Sequence, residues 1–292
     1  MPSLSTLRRF LLVALLLGGA QASSFAQQAP EASGARILLL PHRVVAGERA
    51  TLAVLDVNGR LTPGVTINFS NGDRLTTDPT GRSLFVAPLN PGIVFASIAN
   101  RSGRVPMVVL APDEVPNGPI EIISAPRVAS IADRFEIQGK GFCGGADENH
   151  VSVQGKQVLV LAASPTSLTL LPPAESEPGP ATVEISCNKR EAKLFSMTLV
   201  ELALEADSAS LLPGEHRSLL VRVRGTQAKL ALEARNLATD VAELTGGNPA
   251  RVSSTGGAEN TAKFELVGRS KGSFLISIRL VATSARPNPS LR

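Results

Sequence analysis

The chain has 292 residues, room for two or three domains, and a formal charge of +4, of which Arg8 and Arg9 supply two. Its lysines and arginines are scattered rather than run together, so no basic tract for nucleic acid is built in. Trp and Tyr are absent and Phe occurs ten times, so the flat rings on which sugars or single-stranded nucleic acid stack are nearly missing.

The first element is an address. Arg8 and Arg9 precede "FLLVALLLGGA" (10–20), an apolar run too short to span a bilayer, and Ser24 and Ala26 are the small residues before a cut. Residues 1–26 are therefore expected to be a cleaved secretory signal. No later apolar run reaches spanning length, so the mature chain is expected to have no membrane span. It should reside in the periplasm, on the cell surface or outside the cell.

From Arg36 onward the pattern is strand, turn, strand. Apolar residues alternate in "ATLAVLD" (50–56), "VTINFS" (65–70), "IVFASIA" (93–99), "RFEIQG" (134–139), "HVSVQG" (150–155) and "FLISIRL" (274–280), as in sheets with one buried face. "VNGR", "SNGD", "DPTG", "NPG" and "EPGP" supply turns between them, and Asn58-Gly59 predicts a type I′ hairpin. Short strands at this spacing predict an all-β fold of two to three tandem Ig-like β-sandwiches. The breaks divide the chain at 36–111, 117–200 and 201–284, with 285–292 expected to be a disordered tail. The Pro-rich stretch 110–119 reads as a linker. Near 199–206 the break is softer, because one strand runs on into the next unit. Within the third unit, "TQAKLALEARNLATDVAEL" (226–244) fits either a short helix or two strands, since Leu230, Ala234 and Leu237 suit both periods.

Two units resemble known families. In 36–111, Gly47, Asp56 with Gly59, Pro63 to Val65, Thr77 to Arg82 and Pro91-Gly92 follow the order of a bacterial Ig-like domain of the invasin/intimin type. That resemblance implies a spacer or stalk segment with no catalytic residues. In 117–200, Pro119, Phe135 to Phe142, Val151 to Gly155, Thr166 to Pro172 and Pro178 to Val183 resemble an IPT/TIG domain, also an Ig-like sandwich. Ala132 stands where many members carry glycine. The third unit resembles no family we can name.

The stretch "QGKGFCGGADENH" (138–150) concentrates the apparent chemistry. Gly139, Gly141 and Gly144 spell G-x-G-x-x-G, but another alternating strand follows where a phosphate cradle needs a helix N-terminus. A Cys143 nucleophile with His150 as base is opposed by export to an oxidising compartment and by the cysteine count of two. In an Ig-type topology the loops after the second and sixth strands share one end. Cys143 and Cys187 are therefore expected to form a disulfide contributing about 3–4 kcal/mol.

Metal and catalytic readings find little. His42, His150 and His216 lie in different units. Asp56, Asn58 and Gly59 hint at a calcium loop but lack its closing glutamate, and Asp147, Glu148 and Asn149 leave weak calcium binding open. No G-x-S-x-G occurs, and no cofactor is expected.

The expected protein is an exported, non-enzymatic chain acting in surface or extracellular binding or adhesion. Its partner would be another protein or a cell-envelope component, not nucleic acid. The candidate binding surface is the loop end of the middle unit, with Asp147, Glu148 and Asn149 opposite Lys189, Arg190 and Lys193. The alternatives are a structural spacer without a ligand, and an accessory module of a polysaccharide-active system.

Overall fold

A computed structural model describes residues 35–112, 119–188, 190–192, 194–205 and 211–281. The expected signal (1–26), the tail (285–292), most of the linker, Lys189 and Lys193 lie outside the described residues.

The described chain is built almost wholly of strands, arranged as sheets stacked in sandwiches. In the first sandwich, Ile37–Leu39, Arg49–Leu55 and Arg82–Val86 form one sheet. The facing sheet runs Arg43–Val45, Val105–Leu110, Gly92–Ile98, Thr66–Phe69, Arg74–Thr76. The opening segment switches sheets, so Arg43–Val45 pairs in parallel with the last strand, an arrangement that closes an Ig-like sandwich. Leu52, Ile67, Met107 and their neighbours fill the space between the sheets.

The second sandwich repeats this plan. Glu121–Ser124, Phe135–Lys140, Ser167–Leu171 and Leu159–Ser164 face Val128–Ser130, Phe195–Glu205, Gly179–Cys187, Asn149–Val153 and Lys156–Gln157. Again the short sheet-switching strand, Val128–Ser130, pairs in parallel with the last. The eleven-residue strand Phe195–Glu205 then continues without a break. Its first half pairs with Gly179–Cys187, and its second half with His216–Arg224 of the third sandwich.

Stretch 226–244 resolves into two strands, Ala231–Asn236 and Ala242–Leu244. The helical face is not realised, because Leu237 is exposed, whereas Leu232, Ala234 and Asn236 turn inward at a period of two.

Two turns share one device. In "DVNGR" and "DPTGR" the aspartate carboxylate accepts backbone N–H groups inside the turn: Asn58 and Arg60 for Asp56, Thr80 and Arg82 for Asp78. Gly59 and Gly81 then adopt positive φ, and each N–H bonds the aspartate carbonyl three residues back. Asn58 is not in the left-handed region, so this loop is a type I turn with a glycine bulge rather than the expected type I′ hairpin. The aspartate's grip on the backbone decides it. The type I′ signature of paired positive φ falls at Gln154-Gly155 instead.

Strand Arg49–Leu55 is buried from Ala50 to Leu55, so both faces are covered, not the one expected from alternation. Leu159–Ser164 is likewise buried from Val160 onward. The outward side chains of the first strand meet the second sandwich: Leu39, Ala53 and Leu55 pack with Leu161 and Ala162. Thr51 pairs with Ala163 in the sheet ladder, which joins the two sandwiches edge to edge.

Candidate functional site

Each glycine of "QGKGFCGGADENH" answers a different physical need. Gly139 has no room for a side chain, since a Cβ there would lie 2.3 Å from the Glu121 carbonyl oxygen and 2.6 Å from the Phe142 ring. Gly141 has φ 76° and turns the chain out of strand Phe135–Lys140. Gly144 lies flat against the first sandwich, where a Cβ would fall 1.7 Å from the Arg49 carbonyl oxygen. Phe142 is buried in the core of the second sandwich.

Cys143 and Cys187 are joined by a disulfide with their Cα atoms 6.0 Å apart, and both are buried in that core. The bond ties the loop leaving strand Phe135–Lys140 to the end of Gly179–Cys187. Asn149 completes the clamp. Its side chain accepts the Cys143 N–H at 3.0 Å and donates to the carbonyls of Cys143 and Gly145, both at 2.8 Å. His150 follows Asn149 in the next strand, Asn149–Val153, with its side chain at the surface.

The loop so fixed is pressed into the first sandwich. Thr51 Oγ1 donates to the Gly144 carbonyl at 3.0 Å and accepts the Ala146 N–H at 3.1 Å. Arg82, only 12% exposed, reaches across to the Asp147 carboxylate at 2.8 Å and to the Val160 carbonyl at 3.2 Å. Arg49 meets Glu148 at 3.4 Å. On the other side of the joint, Ser164 and Thr166 hydroxyls both donate to the Arg43 carbonyl at 2.8 Å.

Of the expected grouping, Asp147, Glu148 and Asn149 lie at this joint, while Lys189 and Lys193 fall outside the described residues. Asn149 is buried and spent on backbone groups, and the two acids turn to arginines of the first sandwich. Arg190 points a guanidinium nitrogen to the Cys187 sulfur at 3.4 Å. Spacing within the middle unit could not show this, because Arg49 and Arg82 lie about a hundred and about sixty-five residues earlier in the chain, beyond the reach of local pattern reading. The available signal was the unbroken apolar character of "ATLAVL" and "LVLAAS", which suits strands covered on both faces.

Beside this joint, Glu136 faces His42 at 3.5 Å in a small cleft of about 90 Å³ between the two sandwiches. Its Oε1 is buried without a hydrogen-bond partner. Burial raises the Glu136 carboxyl pKa, and the His42 charge pulls it part of the way back. The aspartate proposed for a calcium loop, Asp56, spends its carboxylate oxygen on the N–H groups of Asn58 and Arg60. Among the described residues no group of three or more His, Cys, Asp or Glu side chains comes together.

No family model matches the chain, and no curated protein matches it by sequence. Solved structures are similar to it at low identity. The Bacteroides ovatus mixed-linkage glucan utilization locus protein SGBP-B, solved with a mixed-linkage heptasaccharide, is 14% identical with a TM-score of 0.32, over 82% of this chain and 71% of that one. A biofilm-associated protein BSP domain is 13% identical with a TM-score of 0.26, over 55% of this chain and 28% of that one. The plexin A4 extracellular region is 11% identical with a TM-score of 0.30, over 89% of this chain and about a third (34%) of its own.

Proposed function

We propose that this chain is an exported, non-enzymatic protein whose sandwiches work as one stiff arm in surface or extracellular binding or adhesion. The units are assigned at 36–111, 117–200 and 201–284, the first two as bacterial Ig-like (invasin/intimin type) and IPT/TIG domains. The observation that carries the reading is the joint. A cross-linked loop, a nearly buried arginine, a shared ladder and an apolar cluster lock the first sandwich to the second. A continuous strand carries the second into the third. Independent modules on flexible linkers would not need such contacts. The disulfide supports an oxidising compartment. On this reading Asp147, Glu148 and Asn149 serve the joint rather than a ligand.

Small-angle X-ray scattering of the secreted chain, together with fractionation of the native host, tests this. Scattering that fits a single rigid body, with the protein outside the cytoplasm, is expected. Scattering that requires independently moving sandwiches, or recovery from the cytoplasmic fraction, would overturn it.

A further inference from the structure

The third sandwich carries its charge unevenly. On the sheet containing His216–Arg224 and Thr261–Gly268, cations are matched one to one: Arg222 with Glu205, Arg224 with Glu201, Lys263 with Glu265. The opposite sheet, Ala250–Ser253, Ala231–Asn236 and Ile276–Leu280, is different. Glu233 sits at its centre with a side chain 4% exposed, and three arginines surround it.

The ladder places these groups. Glu233 pairs with Arg251 on one side and Arg279 on the other, so all three side chains share the outer face. Arg251 donates to Glu233 Oε2 through Nε and Nη2, both at 2.9 Å. Arg279 donates to Oε1 at 2.6 Å through Nη2 and 3.2 Å through Nε. Arg235 Nη2 lies 4.0 Å from the same oxygen. Among the described residues, three guanidiniums face one carboxylate, an excess of two positive charges.

The carboxylate holds the inner edges of two guanidiniums, so their remaining N–H groups face solvent in a set orientation. The arginine side chains are 52–67% exposed. Pre-oriented forks of this kind are the side chains best suited to bind oxyanions, and holding them in place beforehand lowers the entropic cost of binding. Ser253 and Ser277 lie on the same face by register and add hydroxyls.

We propose that this outer face is a binding site for acidic polysaccharide, in which Arg235, Arg251 and Arg279 contact successive carboxylate or sulfate groups. A neutral glycan would need stacking rings, and the chain contains neither Trp nor Tyr. The same shortage disfavours single-stranded nucleic acid, whose bases need aromatic platforms. The site goes beyond the stiff-arm reading, which would stand if binding failed.

The test measures binding of the secreted chain to immobilised polygalacturonate and dextran sulfate, with neutral dextran and duplex DNA as comparison arms. Binding to one or both acidic polymers, weakening as salt rises, is expected, and the two arms tell carboxylate from sulfate. R251A/R279A should bind roughly tenfold more weakly. R224A on the neutralised sheet should match wild type. R235A, whose loss breaks no short hydrogen bond, should weaken binding while leaving the melting midpoint unchanged. Wild-type binding no stronger than to neutral dextran, unchanged binding by R235A and R251A/R279A, or equal affinity for DNA would each overturn the proposal.

Discussion

Gly144 shows how a residue without a side chain can govern an interface. Its backbone abuts the Arg49 carbonyl, so any larger residue must push the disulfide loop off the first sandwich. G144V is expected to destabilise the protein by about 3 kcal/mol or more, read as a lower denaturation midpoint. Its neighbour Cys143 stabilises through the chain: C143S/C187S should lose about 3–4 kcal/mol, with the unfolding slope in urea as a control on the denatured state. Glu136 acts in the opposite sense. Because its folded pKa is raised, its contribution to stability is fully present at low pH and is lost as pH rises through the raised value. E136Q, which cannot ionise, should therefore be more stable than wild type at about pH 7, by less than about 2 kcal/mol. The difference should vanish below about pH 4, where the wild-type carboxyl is protonated in both states. Thermal melts at the two pH values decide this.

Strand Phe195–Glu205 does the work of two. Its inward residues Met197 and Leu199 belong to the second core, while Val200 is buried in the third, with Leu202 packed against it. A strand shared in this way cannot fray at one end without exposing the other sandwich. The second and third sandwiches should therefore melt in one calorimetric transition, and a two-glycine insertion after Val200 should split it in two. A single transition in the insertion variant would show that the coupling lies elsewhere. The loop 143–149 is the corresponding element at the first joint, where Asn149 and the disulfide hold it rigid from within while Thr51 and Arg82 hold it from outside.

Across the molecule, arginines serve two different arrangements, one at the first joint and one on the outer face of the last sandwich. Arg82 is spent on the joint and is nearly buried, whereas Arg251 and Arg279 are half exposed around a buried acid. Glu233 is held ionised below the usual carboxylate range by hydrogen bonds from Arg279 and then Arg251, with burial opposing them. A depressed carboxylate stabilises the fold at neutral pH, and that contribution is lost as pH falls below about 4. E233Q should therefore reduce the acid sensitivity of the transition the second and third sandwiches share, seen as a smaller shift of its midpoint between about pH 7 and about pH 3.

Strand periodicity, turn residues and the pairing of two cysteines in one Ig-like unit are local or nearly local, and they can be read from the chain. A period of two needs only neighbouring residues, and Gly and Asp declare their turns by their own conformational freedom and hydrogen bonding. The turn at Asn58 departs from type I′ for an equally local reason: the competing Asp56 carboxylate changes the turn without changing its position. Which face of a strand meets another sandwich is not local. Thr51, Gly144, Arg82 and Asp147 carry no pattern that links them, and only the packing of two closed sandwiches brings them within hydrogen-bond distance. The arginine crown is similar, because Glu233, Arg251 and Arg279 are separated in the chain and become neighbours only through ladder register. Sequence thus determined the strands, the staple and the class of fold. Tertiary structure decided that the loop end is a joint and that three arginines gather around Glu233 on the third sandwich, because burial and cross-strand register arise only once sheets have paired.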